Sequence, residues 1–107
     1  MKYVLVAPIW AIPKCLKKEG LSRDAIDLYE VNEAFSGSTV AALRELGLDP
    51  QKVNVNGGSV ALGHPIGASG CRLLVTLLHE MIKQNKKAGL VSLCLGGGEA
   101  VAMIVKR

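Results

Sequence analysis

Three short stretches of the chain set a reactive or polar side chain in an unusual backbone context: Asn32 in VNEAF, His64 in GHPIG and Cys94 in CLGGG. All three fall at the ends of expected strands and helices, where layered α/β proteins gather their sites. Asn32 stands where a strand gives way to a helix. Its carboxamide can serve as a helix N-cap, worth about 1 kcal/mol, or it can hold a water or a substrate oxygen. His64 precedes a proline, which bars a helix from continuing backward and sets the ring at a helix mouth, as a structural imidazole or as a base. Cys94 in an apolar strand reads either as an inert small hydrophobe or as a working thiol. Gly96 and Gly97, just beyond it, let a ligand approach the backbone closely.

The remaining candidates are weaker. GHPIGASG is glycine-rich but lacks the Gly-Lys-Ser/Thr ending of a phosphate-binding P-loop, and it is not GxGxxG. His79 falls beside Glu80 and Lys83 on a helix and reads as surface. Cys15 and Cys71 sit within helices with no base nearby in sequence and read as packing residues. Glu33 and Glu99 are acids that nothing in the sequence pairs.

The elements that must position these groups follow from period and punctuation. Residues 3–7 and 28–31 read as strands, and 9–19 as a short helix stopped by Gly20. Ser22 can cap a single turn over 23–26. Residues 33–46 form a helix ended by Gly47, with Gly37 inside it costing about 1 kcal/mol against alanine. A turn starts at Asp49-Pro50, and residues 53–55 form a short strand. From Pro65 to Gln84 the pattern is one long helix with Leu74, Leu77, Leu78 and Met81 on one face. Residues 89–95 and 99–105 are strands joined by GGG, the composition of an antiparallel hairpin turn. Strands alternating with helices predict an α/β layered domain.

Composition limits the partners. The chain has 107 residues, half of them hydrophobic, and a net charge of +4. That is one domain's length, and such a chain buries only about 65% of its unfolded surface. A positive mean hydropathy in so short a chain points to apolar surface kept for a partner. The lysines, among them Lys17, Lys18, Lys83, Lys86 and Lys87, fall on solvated positions without interleaved aromatics, which argues against nucleic acid. Three cysteines without CxxC or Cys/His spacing argue against a disulfide framework or a zinc site and fit a reducing cytoplasm; no metal ligand set is expected. The opening MKYVLVAPIWAIPK lacks a signal-peptide cleavage pattern and is too short to span a bilayer, so no membrane association is expected.

Taken together and in this order, VNEAF, NGGSVALGHPIGASG and CLGGGEA resemble the C-terminal half of a thiolase, an acetyl-CoA C-acyltransferase. The resemblance covers roughly residues 8–107. It implies a thiolase-type βαβαββ half-domain: a mixed sheet, a long central buried helix after His64 and a C-terminal β-hairpin, with the first strand truncated or replaced by MKYVLVA. It also implies acyl transfer between CoA thioesters, by thiolysis of a 3-ketoacyl-CoA or by Claisen condensation of acetyl-CoA. By matching motif positions, His64 activates the nucleophile and polarises the thioester oxygen, and Asn32 holds the water that completes an oxyanion hole with His64. Cys94 is the second acid/base, and the N–H of Gly96 contributes to another oxyanion hole. Ala34 and Phe35, together with His64, line the pantetheine tunnel. Coenzyme A enters as a thioester substrate, with no permanently bound cofactor.

The nucleophilic cysteine of a thiolase lies in its N-terminal half, and Cys15, Cys71 and Cys94 match no such motif. The resemblance therefore implies a partner, a thiolase N-terminal half or subunit, without which the chain is inactive. A homo-oligomer is expected too, because a half-domain leaves apolar surface uncovered. The alternatives are a non-catalytic fragment and an acyl-CoA- or protein-binding module.

Overall fold

The computed structural model describes residues 6–107. Within them the order is α1 (Pro8–Lys18), a 3-10 turn (Arg23–Ala25), β1 (Leu28–Val31), α2 (Ser36–Leu46), a second 3-10 turn (Pro50–Lys52), α3 (Ser59–Leu62), α4 (Ser69–Lys83), β2 (Ala88–Cys94) and β3 (Ala100–Lys106). The strand expected over 3–7 lies largely outside the described residues. Ala7 already has helical dihedrals and leads into α1, with Pro8 in the first helical position, where its missing N–H breaks no hydrogen bond.

The sheet runs β1-β2-β3, parallel across β1 and β2 and antiparallel across the β2–β3 hairpin. Side chains alternate across it, as the period of a strand requires. Tyr29, Val31 and Leu90 pack with Ile12 and Leu16 of α1. Leu28 and Val91 pack on the other face with Leu73, Leu77 and Met81 of α4. The result is a mixed sheet between two helical layers, with the long helix and the C-terminal hairpin that the sequence predicts. All four β1 residues are buried, including Glu30 at 1% exposure.

Gly89 shows why α4 comes so close to the sheet. A Cβ added there would lie 2.7 Å from Met81 Sδ and 2.9 Å from both Leu77 methyl carbons, so only glycine lets the helix seat against β2.

Five expectations are corrected. Residues 53–55 do not form a strand: Val53 makes a lone parallel bridge to Tyr29, and Asn54 turns to a positive φ of 50°. The Asn54 side chain then takes over the pairing, with Oδ1 accepting from Val31 N at 2.9 Å and Nδ2 donating to Val31 O at 2.8 Å. Second, the helix expected over 33–46 begins at Ser36 with Phe35 at its N-cap position, so Asn32 is not a helix cap. Third, the long helix starts at Ser69 rather than Pro65; residues 65–68 form a turn in which the Pro65 carbonyl accepts from Ala68 N and Ser69 N. Fourth, α4 buries only one side in this chain. Leu73, Leu77 and Met81 are fully enclosed, while Val75, Leu78 and Ile82 stand at 48%, 39% and 62% exposure. Leu78 therefore leaves the predicted buried face. Cys71 is also exposed and does not pack as expected.

Candidate functional site

The C-terminal ends of β1 and β2 lie side by side, and the chain leaves both of them into glycine-rich or irregular loops. A cavity of about 410 Å³ opens there, lined by Ala34, Phe35, His64, Ile66, Leu93, Cys94, Leu95 and Gly96. Its walls come from the loop after β1, the turn before α4 and the tip of the hairpin, segments that are about 30 residues apart in sequence. Five of the six residues singled out from sequence meet in this lining: Ala34, Phe35, His64, Cys94 and Gly96. Phe35 is 61% exposed and Ile66 is 87% exposed, so large apolar groups flank the opening.

Asn32 does not line the cavity; it stands two residues before Ala34 and is 3% exposed. Its backbone N–H donates to Ser92 O at 2.9 Å, which extends the β1–β2 pairing by one step. Its Oδ1 accepts from Ser59 Oγ at 2.6 Å. Its Nδ2 is buried without a hydrogen-bond partner among the described residues. A buried donor left in this way costs about 1–3 kcal/mol, and such orphans in folded proteins call for a specific explanation.

His64 is exposed in this chain. The Ser69 hydroxyl holds its ring from one side, with Nδ1 and Oγ in hydrogen-bond contact. Ser69 is buried at the start of α4, and its Oγ also donates to Pro65 O at 3.1 Å. A hydroxyl has one proton. With that proton on the Pro65 carbonyl, Oγ accepts from Nδ1–H, and Nε2 is left as the basic nitrogen of the ring. The GHPIGAS turn thus sets the tilt of the imidazole, and the Ser69–Pro65 hydrogen bond favours the tautomer with its proton on Nδ1.

Cys94 ends β2, half-buried and unbridged. Beyond it Gly96 takes a positive φ of 86°, a conformation that a side chain would strain. The loop closes where Leu95 N donates to Glu99 O at 2.9 Å. Glu33, unpaired on the sequence reading, accepts from Val60 N through Oε2 at 3.0 Å. A Cβ on Gly58 would clash with the Glu33 carboxyl group, so Gly58 makes room for this acid.

Sequence reasoning missed a polar chain behind the lining. Arg72 Nη1 lies 3.4 Å from Glu30 Oε2, and Arg72 Nη2 lies 3.4 Å from Ser59 Oγ. Burial pushes the Glu30 carboxyl up to about 7, and the Arg72 charge opposes that rise only in part. The one clue in the sequence is an acid inside an otherwise apolar strand, LYEV. Among the described residues no group of His, Cys, Asp and Glu side chains is arranged to hold a metal ion, and no helix is long and apolar enough to cross a membrane.

The family described as thiolase, C-terminal domain, matches the chain over residues 1–107. The acetyl-CoA acetyltransferase of Pseudomonas aeruginosa is 56% identical over 102 residues, 95% of this chain and 26% of that protein. The crystal structure of the Bacillus anthracis acetyl-CoA acetyltransferase superposes with a TM-score of 0.94 at 46% identity, covering 96% of this chain and 26% of that one. A thiolase from Ascaris suum, crystallised in complex with coenzyme A, superposes with a TM-score of 0.90 at 48% identity, covering 97% and 27%. The chain spans about a quarter of the length of these relatives.

Proposed function

The chain belongs to the thiolase family as its C-terminal domain, and from that premise we propose that it supplies the acid–base and oxyanion-binding half of a site that moves acyl groups between CoA thioesters. The nucleophilic cysteine comes from an N-terminal half, in the same polypeptide or in a partner subunit. The observation that carries this reading is the buried Nδ2 of Asn32, without a partner among the described residues. It is a donor free to meet an oxygen, two residues along the chain from Ala34 in the wall of a cavity that His64 and Cys94 line together.

The roles follow from the chemistry of each group. His64 Nε2 takes the proton of the incoming nucleophile. Asn32 Nδ2 donates to a water that, with His64, stabilises the negative charge growing on the substrate oxygen. Removing one such donor typically costs about 10²–10³-fold in rate. Cys94 gives or takes the proton at the substrate α-carbon in one half-reaction and at the CoA sulfur in the other, a contribution of about 10²–10⁴ for a well-placed acid–base group. The Gly96 N–H serves the second oxyanion. Ala34 and Phe35 offer the apolar wall along which a pantetheine arm can lie. The coenzyme A bound in the Ascaris suum thiolase supports CoA as the carrier, and the acetyl-CoA acetyltransferases among the relatives support acetoacetyl-CoA as a substrate to try.

The exposed apolar residues of α4, with Val60, Leu62 and Ile66 before it, support an N-terminal half or a second copy of the chain as the cover for this side. Three unbridged cysteines suit a reducing compartment, and the proposal puts the protein in the cytoplasm.

The test is CoA-dependent thiolysis of acetoacetyl-CoA, measured with the chain alone and with a thiolase N-terminal half supplied. Activity only in the mixture, lost in His64→Ala, is the expected result. Activity of the chain alone would put the nucleophile on Cys15, Cys71 or Cys94 and overturn the assignment. If the mixture is silent but the chain binds CoA thioesters, the reading of it as a binding module replaces this one.

A further inference from the structure

Two nearly isosteric ends of a carboxamide compete for any buried amide site, and exchanging them turns a donor into an acceptor. At Asn32 the choice decides whether the free end can hold an oxygen at all. Among the described residues the one hydrogen-bond partner of the carboxamide is Ser59, whose Oγ lies 2.6 Å from Oδ1. A serine hydroxyl can donate or accept, so by itself Ser59 would not decide either.

Arg72 decides. Its guanidinium has only donors, and Nη2 points at Ser59 Oγ from 3.4 Å. One of the two Oγ lone pairs then serves Arg72, and the hydroxyl proton goes to Asn32 Oδ1, since the flipped amide would leave that proton without an acceptor. Oδ1 is the end that accepts, and Nδ2 is left free as the donor. Arg72 is kept in place by Glu30 on β1, 3.4 Å from Nη1 and 2% exposed in its side chain. β1, α3 and α4 each contribute one member, so the polarity of the amide is set by the packing of three elements.

We infer that Ser59 is a positioning residue for Asn32, its hydroxyl oriented by the Glu30–Arg72 pair so that the carboxamide is locked with Nδ2 as the free donor. This rests on the proposed role of Asn32, but the orientation itself can be tested without any turnover. Without the Ser59 hydroxyl the buried Oδ1 loses its partner, and the amide has no reason to prefer one orientation over its flip.

The experiment is ¹⁵N relaxation of the Asn32 side-chain amide in the labelled chain, with its signal assigned by its disappearance in Asn32→Ala. The native amide should be as rigid as the backbone, with an order parameter near about 0.85, falling below about 0.6 in Ser59→Ala while the backbone spectrum stays in place. Ser59→Thr, which restores the hydroxyl, should restore the rigidity, and Arg72→Met should behave as Ser59→Ala does. An order parameter unchanged in Ser59→Ala overturns the inference, whether or not Arg72→Met folds. In the mixture with an N-terminal half, Ser59→Ala should lower kcat about tenfold with KM unchanged, a smaller loss than removal of the donor itself. An unchanged kcat in an active mixture overturns the positioning role. A native mixture with no activity sinks the thiolase reading, and the relaxation result then still decides the orientation.

Discussion

The Ser59 hydroxyl donates to the Asn32 carboxamide oxygen across 27 residues of sequence, at 2.6 Å and out of contact with solvent. The bond ties the glycine-rich segment to the end of β1, and it leaves the other end of the same amide without a partner among the described residues. On the proposed reading, that donor serves the oxygen of a water or a substrate.

Replacing Asn32 should therefore separate stability from activity. In Asn32→Ala the orphan disappears together with its bond to Ser59, and the net loss of stability should stay near about 1 kcal/mol. Turnover in the mixture with an N-terminal half should fall about 10²–10³-fold. Urea unfolding and thiolysis rates on the same preparation check both halves; a variant that keeps its rate would remove Asn32 from the site.

Ser69 gives the matching prediction for His64. Ser69→Ala leaves Nδ1 of the imidazole without its partner, so the ring can rotate and exchange tautomers. The rate in the mixture should drop about tenfold, a fraction of the about 10²–10⁴ attributable to a general base, and KM should hold. An unaltered rate would show that the turn before α4 orients the ring unaided.

Gly89 is the most severe test of the core. Gly89→Ala drives a methyl group into Met81 and Leu77, which are fully buried and have nowhere to go. Overpacking of this kind costs about 1–3 kcal/mol, readable as a lower urea midpoint with an unchanged slope. Gly37→Ala is the contrast: nothing lies within 4 Å of its Cβ position, and because Gly37 is the second residue of α2 the gain in helix propensity should raise stability by less than the ~1 kcal/mol of an interior position.

Two carboxylates shape the pH dependence from opposite sides. Asp27 is held below its ordinary value by the backbone N–H groups of Ala88 and Lys87. Its contribution is present above its unfolded value of 3.8 and is lost as pH falls through the lower folded value. Glu30 is raised by burial from 4.5 to about 7, so the folded chain binds the proton more tightly than the unfolded one. Stability is then greatest below about 4.5 and declines until the pH passes about 7, by up to about 3 kcal/mol. Thermal midpoints should peak between about pH 4 and 5, and Glu30→Gln should flatten the decline on the alkaline side. A wild-type midpoint that rises steadily to pH 8 would contradict the Glu30 assignment.

The outer stripe of α4 should make the isolated chain associate. Val75, Leu78 and Ile82 recur on one face of the helix and are all exposed, which monomers rarely tolerate as a contiguous patch. Gel filtration should show a species larger than a monomer, and Ile82→Glu with Val75→Lys should return it to one. A native chain that remains a monomer on concentration would show that the stripe is tolerated in water.

Much of this molecule could be read along the chain. The hairpin, the long apolar helix and the buried β1 strand are local matters of period and punctuation, and the motifs around Asn32, His64 and Cys94 mark the segments that form the cavity. What could not be read depends on exchanges between segments. Residues 53–55 have the composition of a strand, yet Asn54 replaces the ladder with its side chain, because its positive φ turns the backbone away from Val31. Asn32 looks like a helix cap, yet the chain runs on to Ser36 before coiling, and the carboxamide is used by a serine from another element.

The sequence by itself determined the layers, the hairpin and which short segments have the right chemistry, since each depends on neighbours within a few residues. Only the tertiary structure decided the partners: that Ser69 holds His64, that Ser59 and Arg72 set the polarity of Asn32, and that Glu30 is buried. Those depend on packing β1, α3 and α4 against one another, and hydrogen-bond geometry between distant segments leaves no period in a sequence.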